Sequence, residues 1–153
     1  MTSLAPPTAQ LTPLTVARAV PELSLVSMTP GYSTDILANS NGLLLHFWAT
    51  WCPPCLRELP LLLAGCRAAG FSHAAVSLDK TSDVVERYID GMGVPASNIF
   101  LQEGTLETDG LLMGGILPAT LVVDRAGNVR ARGIGEIEWR SLERWSLVAK
   151  WVR

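Results

Sequence analysis

Short apolar runs alternate along the chain with longer stretches of mixed polarity. The runs Leu43–Trp48, Ala74–Leu78 and Leu121–Val123 are apolar and bounded by turn-forming residues, which predicts three buried strands. The stretch 53–69, closed by Gly70, predicts a helix between the first two strands. Strands and helices in this order predict an α/β fold built on a mixed sheet.

Further elements follow from turn and cap signals. The turn 124–128 predicts an antiparallel hairpin between the strand that precedes it and residues 129–134. The remaining predicted elements, in chain order, are a helix at 84–89, a strand at Ile99–Leu101, a short helix at 106–113 and a last helix at 138–151. Helices are therefore expected on both faces of the sheet.

The N-terminal part is predicted to be different in character. Residues 1–21 are rich in proline, threonine, serine and alanine, which predicts an extended, flexible linker. Residues 23–28 and 33–37, separated by the turn 29–32, predict an N-terminal β-hairpin. The folded domain is accordingly expected to cover residues 22–153.

Composition limits the class of protein. The 153 residues suffice for one core, and 48% of them are hydrophobic, which argues against disorder. The formal net charge is −2, and the 12 basic residues form no cluster, so nucleic acid is not expected as a partner. The chain has three cysteines, too few for a disulfide-stabilised scaffold.

Two of the cysteines lie where the first predicted strand becomes a helix. Cys52 and Cys55 are separated by Pro53 and Pro54, and prolines suit the first helical positions because the N–H groups they lack would have no partner there. A helix N-terminus favours the thiolate form of a cysteine. We therefore expect Cys52 to be the attacking, more exposed thiol and Cys55 to be the resolving, shielded one.

The segment from Phe47 to Pro60 resembles the active site of thioredoxin-fold proteins, and its W-C-P-P-C motif with a following glutamate resembles the TlpA-like branch. Residues 117–120 resemble the cis-proline loop of that family, and residues 82–113 resemble the insertion between the two halves of its fold. The resemblance covers roughly residues 22–152. It implies a thioredoxin-like α/β fold with a central α-β insertion and a thiol-disulfide oxidoreductase activity. The TlpA-like branch further implies that the protein is a reductase.

The resemblance also assigns a client-binding surface. Pro118 is expected to be cis, and Leu117 would then pair through its backbone with an extended client strand. Trp51, Pro53 and Pro54 would frame the same site. The alternative for Pro118 is a trans proline that merely begins a strand.

Two ionisable side chains near the thiols have alternative interpretations. Glu58 lies three residues after Cys55 on one helix face, and the resemblance implies a buried carboxylate that takes part in proton transfer. Its alternative is a solvated surface acid. His46, six residues before Cys52, is either a proton shuttle or a core histidine, and an uncharged residue is common there in the TlpA-like branch.

Other functions of the cysteine pair remain open. A copper-binding or metallochaperone module could use Cys52 and Cys55, whereas a structural zinc site lacks further ligands at the required spacing. An inert disulfide in a binding domain is the third alternative. Cys66 is expected to be a structural thiol and His73 is assigned no role. No cofactor and no bound metal are expected.

The resemblance also implies partners and a compartment. The expected partners are protein thiol or disulfide clients and an upstream thiol protein that donates electrons, with the chain acting as a monomer. The TlpA-like branch includes membrane-tethered periplasmic reductases, among them those that serve cytochrome c maturation. The expected location is the periplasm, with membrane contact only through an anchor absent from this chain, and the alternative is the cytoplasm.

Overall fold

The three strongest strand predictions form the centre of one seven-stranded sheet. The structure is a computed structural model, and it describes residues 7–38 and 41–153. The sheet has the strand order β1-β7-β6-β3-β4-β5-β2. In chain order the elements are β1 (Thr12–Ala19), β2 (Leu25–Ser27), β3 (Leu43–Trp48), α1 (Pro53–Ala69), β4 (Ser72–Ser77), α2 (Ser82–Met92), β5 (Ile99–Gln102), β6 (Ala119–Val123), β7 (Asn128–Ile134) and α3 (Leu142–Trp151).

Mixed strand directions place β3 in the middle of the sheet. β3 runs parallel to β4 and antiparallel to β6, and β4 runs parallel to β5. All six residues of β3 are buried, as expected for a strand covered on both faces. The carboxyl end of this strand leads directly into α1, so the sequence that follows it is held at the edge of a rigid sheet.

Alternation along β3 divides the core into two sides. Leu43, Leu45 and Phe47 belong to one apolar cluster, whereas Leu44 and Trp48 belong to clusters on the other face. The second face is covered by α1, α2 and α3, whose buried residues lie in those two clusters. Among the described residues, no helix contributes to the cluster on the first face.

The predicted short helix at 106–113 is wrong, and this explains the uneven coverage. Residues 106–108 form no regular element and residues 109–113 form turns, and Leu111 and Leu112 pack against the first face. Gly110 and Gly114 have φ values of +77° and +82°, a left-handed conformation that a helix does not contain. The covering layer on this face is therefore irregular chain, and the predicted helices on both faces of the sheet are found on one face only in the part of the chain that the structure describes.

The predicted flexible linker is wrong over residues 12–19. These residues form β1, which pairs antiparallel with β7 at one edge of the sheet. Pro13 is compatible with an edge strand, where its missing N–H removes no central hydrogen bond. Leu11, just before the strand, is buried against the α3 side of the core. Residues 1–6 of the predicted linker lie outside the described residues.

The predicted N-terminal hairpin is also wrong. β2 pairs with β5 at the opposite edge of the sheet from β1, and residues 33–37 form no strand. Pairing with β5 is favoured because the Gln102 side-chain oxygen accepts a hydrogen bond from the Ser24 N–H at 2.9 Å, just before β2. The two N-terminal strands thus extend the sheet at both edges.

The last helix begins later than predicted, at Leu142. Glu138 accepts three hydrogen bonds from Arg140, at 2.6 to 2.9 Å, and these fold residues 138–140 into a turn. Ser141 caps the helix by accepting a hydrogen bond from the Arg144 N–H. Within the described parts of the chain, none of the helices combines the length and apolar character that a bilayer span would require.

Candidate redox active site

The two cysteines lie at the first turn of α1, where the sequence places them. Cys52 is the N-cap residue, Pro53 and Pro54 occupy the first helical positions, and the helix ends at Gly70 in a left-handed conformation. Cys52 and Cys55 form a disulfide with their Cα atoms 5.3 Å apart. The pair is therefore fixed between the end of the central strand and the start of a helix.

Solvent reaches the two sulfur-bearing residues unequally. Cys52 is 6% exposed and Cys55 is fully buried, while Trp51 just before them is 67% exposed. Pro53 is exposed and Pro54 is half-buried. Cys52 is therefore the cysteine that an external thiol or disulfide can reach first, and it is the more exposed of the two, as the sequence predicts.

Asp79 holds the turn that leads into the cysteines. It follows the end of β4, and its carboxylate accepts hydrogen bonds from the Thr50 N–H at 3.0 Å and from the Thr50 hydroxyl at 2.7 Å. The Ser77 hydroxyl donates to it as well, at 2.6 Å. Because parallel neighbouring strands end at the same edge, β4 can deliver this carboxylate to the turn after β3.

Glu58 is fully buried on the inner face of α1. Its Oε2 accepts a hydrogen bond from the Ile137 N–H, which belongs to the loop between β7 and α3. Burial raises the pKa of Glu58 to about 8, against the opposing effects of the Ile137 N–H and the Trp139 indole, while nearby Glu136 raises it further. The carboxyl group is therefore mostly protonated at pH 7.

The solvated alternative for Glu58 is thus excluded by its burial, whereas its part in proton transfer is a matter of function. Glu58 and Cys55 are three residues apart on α1, a spacing at which helix side chains are neighbours. A group of this proton affinity near a thiol can give or take a proton near neutral pH.

His46 faces Glu58 from the central strand. His46 is 1% exposed, and its Nε2 lies 3.4 Å from Oε1 of Glu58. Its Nδ1 lies 3.0 Å from the Thr120 hydroxyl oxygen. Burial, with a smaller effect of His73, lowers the pKa of His46 to about 3. At pH 7 the contact therefore joins a neutral imidazole and a protonated carboxyl group.

The loop at Leu117 and Pro118 lies beside the cysteines. The Leu117–Pro118 peptide bond is cis, as the sequence predicts. Leu117 is half-buried and packs against the apolar cluster that contains Cys52 and Cys55. Pro118 is buried, and its carbonyl oxygen accepts a hydrogen bond from the Gly135 N–H at 2.7 Å.

The remaining candidate ligands lie apart from the pair. Cys66 is a free, buried thiol in the core near α3, and burial raises its pKa to about 12. In residues 7–38 and 41–153 no group of three or more histidine, cysteine or acidic side chains is placed to hold a metal ion.

The chain matches a known protein family over the region that contains this site. The model of the AhpC/TSA family matches residues 16–132, which is most of the chain and includes both cysteines. The chain belongs to the AhpC/TSA family. This membership confirms the predicted resemblance to thioredoxin-fold thiol-disulfide oxidoreductases.

Individual relatives agree with the family assignment. The thiol:disulfide interchange protein DsbE of Escherichia coli is 30% identical over 136 residues, an alignment that covers 84% of this chain and 70% of that protein. The thiol-disulfide oxidoreductase ResA of Oceanobacillus iheyensis is 40% identical over 82 residues, covering 49% of this chain and 43% of the relative. The chain thus matches less than half of that relative's length.

A solved structure supports the fold. The thiol:disulfide interchange protein of the thioredoxin family from Chlorobium tepidum has a TM-score of 0.62 at 23% identity, covering 90% of this AhpC/TSA chain and 99% of that one. The predicted thioredoxin-like mixed sheet is confirmed. Together with the cysteine pair, the relatives confirm the prediction of a thiol-disulfide oxidoreductase.

Several residues around the site were not predicted from the sequence. Asp79 contacts Thr50, beside the cysteine motif, whereas Ile137 and Trp139 act on the predicted site residue Glu58 from a distant segment. Only Asp79 leaves a sequence signal, since it directly follows a predicted buried strand. The contacts of Ile137 and Trp139 depend on a loop whose path no local pattern reveals.

Proposed function

We propose that this AhpC/TSA family member works as a reductase of protein disulfides. The observation that carries the proposal is the cysteine pair at the mouth of α1 with the protonatable Glu58 buried one helical turn further on. A dithiol with its own proton acceptor can complete both steps of disulfide exchange.

The first step is attack on the client. In the reduced protein the Cys52 thiolate attacks one sulfur of a client disulfide, forming a mixed disulfide, and the other client sulfur leaves as a thiolate that takes up a proton from solvent. Cys52 performs this step because it is the more exposed of the two cysteines. Trp51 and Pro53, both exposed, flank the sulfur that the client approaches.

The second step resolves the mixed disulfide. Glu58 enters this step ionised, because its proton passed to Cys55 when the protein was last regenerated. Cys55 transfers that proton back to the Glu58 carboxylate, and the resulting thiolate attacks the Cys52 sulfur. The bond between Cys52 and the client breaks, and the client leaves as its second thiolate. The client has then gained two electrons, and the protein holds the Cys52–Cys55 disulfide with the proton on Glu58.

Regeneration reverses the role of Glu58. A thiolate of an upstream donor protein attacks Cys52, and Cys55 leaves as a thiolate that accepts the Glu58 proton. The pKa of about 8 suits this step, because the oxidised protein then keeps that proton on Glu58 at pH 7. A second thiol of the donor then attacks the donor sulfur that is bound to Cys52. The donor leaves with a disulfide, and Cys52 is released in its reduced form.

Client recognition is proposed at the loop beside the cysteines. Within the described residues the backbone of Leu117 makes no hydrogen bond to other backbone groups, whereas the Pro118 carbonyl is occupied by Gly135. An extended client segment could pair with the Leu117 N–H and C=O while Pro118, Trp51, Pro53 and Pro54 shape the surface around it.

We further propose that the protein acts as a monomer in the periplasm, in the branch of redox proteins that includes cytochrome c maturation. Exchange of structural disulfides belongs to oxidising compartments, and DsbE is among the relatives. Fractionation of cells that express the protein from its own gene tests the location, and a cytoplasmic signal would overturn it. Light scattering of the purified chain tests the monomer.

Trapping of clients tests the reductase function. A Cys55→Ser variant should stall as a mixed disulfide on Cys52, visible as a shifted band that a reductant removes. The matched control Cys52→Ser should trap nothing. Equilibration with glutathione mixtures gives the reduction potential, and a strongly oxidising value would contradict a reductase. Competition with Cu(I) that abolishes exchange at equal concentration would favour the copper-binding alternative.

A further inference from the structure

A buried contact between the central strand and α1 is not used by the exchange steps above. Nε2 of His46 and Oε1 of Glu58 lie 3.4 Å apart, and both residues are at most 1% exposed. In the described part of the chain neither atom makes a hydrogen bond, and the Nε1–H of Trp139, which also influences Glu58, is likewise without a partner. Since a buried polar atom without a partner is costly, each atom has reason to pair with the other.

Thr120 determines what the imidazole can offer. It lies directly opposite His46 on β6, and its Oγ1 is 3.0 Å from Nδ1 of the ring. A threonine hydroxyl can donate or accept by rotating its hydrogen. When the hydroxyl accepts from Nδ1–H, Nε2 is a bare acceptor; when it donates to Nδ1, Nε2 carries the hydrogen and is a donor.

We propose that His46 is a positioning residue for Glu58, a neutral imidazole that changes its tautomer so that the carboxyl group is hydrogen-bonded in both of its protonation states. This inference rests on the proposed function, in which Glu58 holds a proton in one half of the cycle and not in the other.

The two states differ by one proton. In the first, protonated Oε1 of Glu58 donates to Nε2 of His46, and Nδ1–H donates to the Thr120 oxygen. In the second, Nε2–H donates to the ionised Oε1, and the Thr120 hydroxyl donates to Nδ1. The imidazole carries one N–H in each state and stays uncharged. The proton that Glu58 loses between the two states is the proton that Cys55 gains.

The surrounding charges fit a neutral histidine. From α1 the nearby ionisable groups are Cys55 and Arg57, from the loop before α3 Glu136, and from β4 His73. Arg57 is paired with Glu136, so it supplies no free cation to the buried carboxyl group. The lowered pKa of His46, about 3, agrees with an imidazole that does not become charged near pH 7.

Removal of the imidazole has a predictable sign. In His46→Leu, protonated Glu58 loses an ordinary hydrogen bond, whereas ionised Glu58 loses a charge-assisted one, which is roughly twice as strong. The ionised form is therefore destabilised more, and the pKa of Glu58 should rise by about one pH unit. His46→Gln keeps an amide that can donate or accept at this place, so it should restore most of the wild-type value.

The experiment follows Glu58 directly in the oxidised protein. Infrared spectra recorded across the pH range give the carboxyl C=O band that disappears in Glu58→Gln, and its titration gives the pKa in each variant. Tyr88→Phe is the matched control, because it also removes a buried polar atom that has no hydrogen-bond partner, and it should leave the pKa of Glu58 unchanged. An unchanged pKa in folded His46→Leu would overturn the proposal.

A second measurement needs no core substitution. Nitrogen-15 NMR of the imidazole in the wild-type protein should show hydrogen on Nδ1 below the Glu58 pKa and on Nε2 above it. One fixed tautomer throughout, or a charged ring at pH 7, would also overturn the proposal. Failure of the reductase function would appear elsewhere, as a Cys55→Ser variant that traps no client or as a strongly oxidising reduction potential, while these titrations would still decide the role of His46.

Discussion

Arg57 and Glu136 join α1 to the loop before α3, with Nε and Nη2 of Arg57 lying 3.2 and 2.9 Å from Oε1 of Glu136. The next residue on each side forms the buried contact, since Glu58 accepts the hydrogen bond of the Ile137 N–H. A half-exposed ion pair thus sits beside the buried carboxyl group, and the Glu136 charge contributes to the raised pKa of Glu58.

Glu136→Gln should therefore lower the pKa of Glu58. The substitution removes a negative charge nearby and leaves the Arg57 cation unpaired, and both effects favour an ionised Glu58. Stability should fall by less than about 1 kcal/mol, because the pair is partly exposed. Infrared titration of Glu58 measures the shift. Glu143→Gln, an exposed substitution on α3, is the control, and an equal shift there would contradict the effect of Glu136.

We predict that position 65 needs a glycine because a neighbouring side chain leaves no room for a Cβ, and not because of the backbone conformation there. A Cβ at this position would overlap the ring of Trp145, whose Nε1–H donates to the Trp139 carbonyl at 2.7 Å. Gly65→Ala should destabilise the protein by about 1–2 kcal/mol despite the better helix propensity of alanine. Gly91→Ala, on α2 with open space around it, should instead be neutral or stabilising by up to about 1 kcal/mol. Denaturant unfolding compares the two, and equal effects would refute the packing argument.

Local patterns predicted the parts of this molecule that local physics determines. α1 has the predicted bounds because prolines open it and Gly70 closes it, and β3 was evident as a run of buried apolar residues. β1 was missed because an edge strand is mostly exposed and is held by backbone pairing with β7, which leaves little apolar signal. The segment 106–113 has helix-compatible apolar spacing, but Gly110 within it adopts a left-handed conformation that interrupts a helix.

The candidate site divides in the same way. The cysteines and Glu58 share one helix, so their spacing alone predicts that they are neighbours. The partners of Glu58 come from other elements: Ile137 donates across 79 residues, and His46 contacts it from β3, the strand that precedes α1. The Ile137 contact depends on the path of a loop, and the pairing of His46 with Thr120 depends on the register between β3 and β6, neither of which a single sequence states.

Alkylation of the reduced protein should label Cys52 first. Cys52 is the only one of the three cysteines with measurable exposure, and it lies at the helix N-terminus, which favours a thiolate. Mass spectrometry after brief treatment at mildly acidic pH should find the label on Cys52, with Cys66→Ala as a control that leaves the rate unchanged. Earlier labelling of Cys55 or Cys66 would reverse the assignment of attacking and resolving thiols.

The pH dependence of stability should show two opposed contributions. Glu58 keeps its proton in the folded state up to pH 8, whereas its ordinary pKa is 4.5, so stability should fall between these values by about 1.4 kcal/mol per pH unit. His46 stays neutral down to about pH 3, whereas its ordinary pKa is 6.5, so its contribution is lost as pH falls through that range. The two slopes cancel between pH 4.5 and 6.5.

Variants of the oxidised protein separate these contributions. Glu58→Gln should remove the decline between pH 6.5 and 8, and His46→Gln should extend that decline down to pH 4.5. The free energy of unfolding in denaturant, measured at each pH, gives both slopes. A wild-type protein whose stability rises between pH 6.5 and 8 would show that Glu58 is not protonated in the folded state.

Replacement of Glu58 by Gln also tests its part in disulfide exchange. Gln keeps the shape of the side chain but can neither hold a negative charge nor accept the Cys55 proton. Removal of the charge relieves its repulsion of the thiolates in a buried site, so the titration midpoint of at least one cysteine should fall. The rate of reducing a model disulfide at pH 7 should drop by about a hundredfold, the size of effect typical of general acid-base catalysis.

The matched control is Glu86→Gln on the exposed face of α2, which should change neither the thiol titrations nor the rate. Thiol reactivity followed against pH in reduced protein gives the midpoints, and single-turnover reduction gives the rate. The two effects have different causes, since the midpoints report the charge of Glu58 and the rate reports proton transfer. Superimposed titration curves with a normal rate would mean that Glu58 is buried near the thiols without serving them.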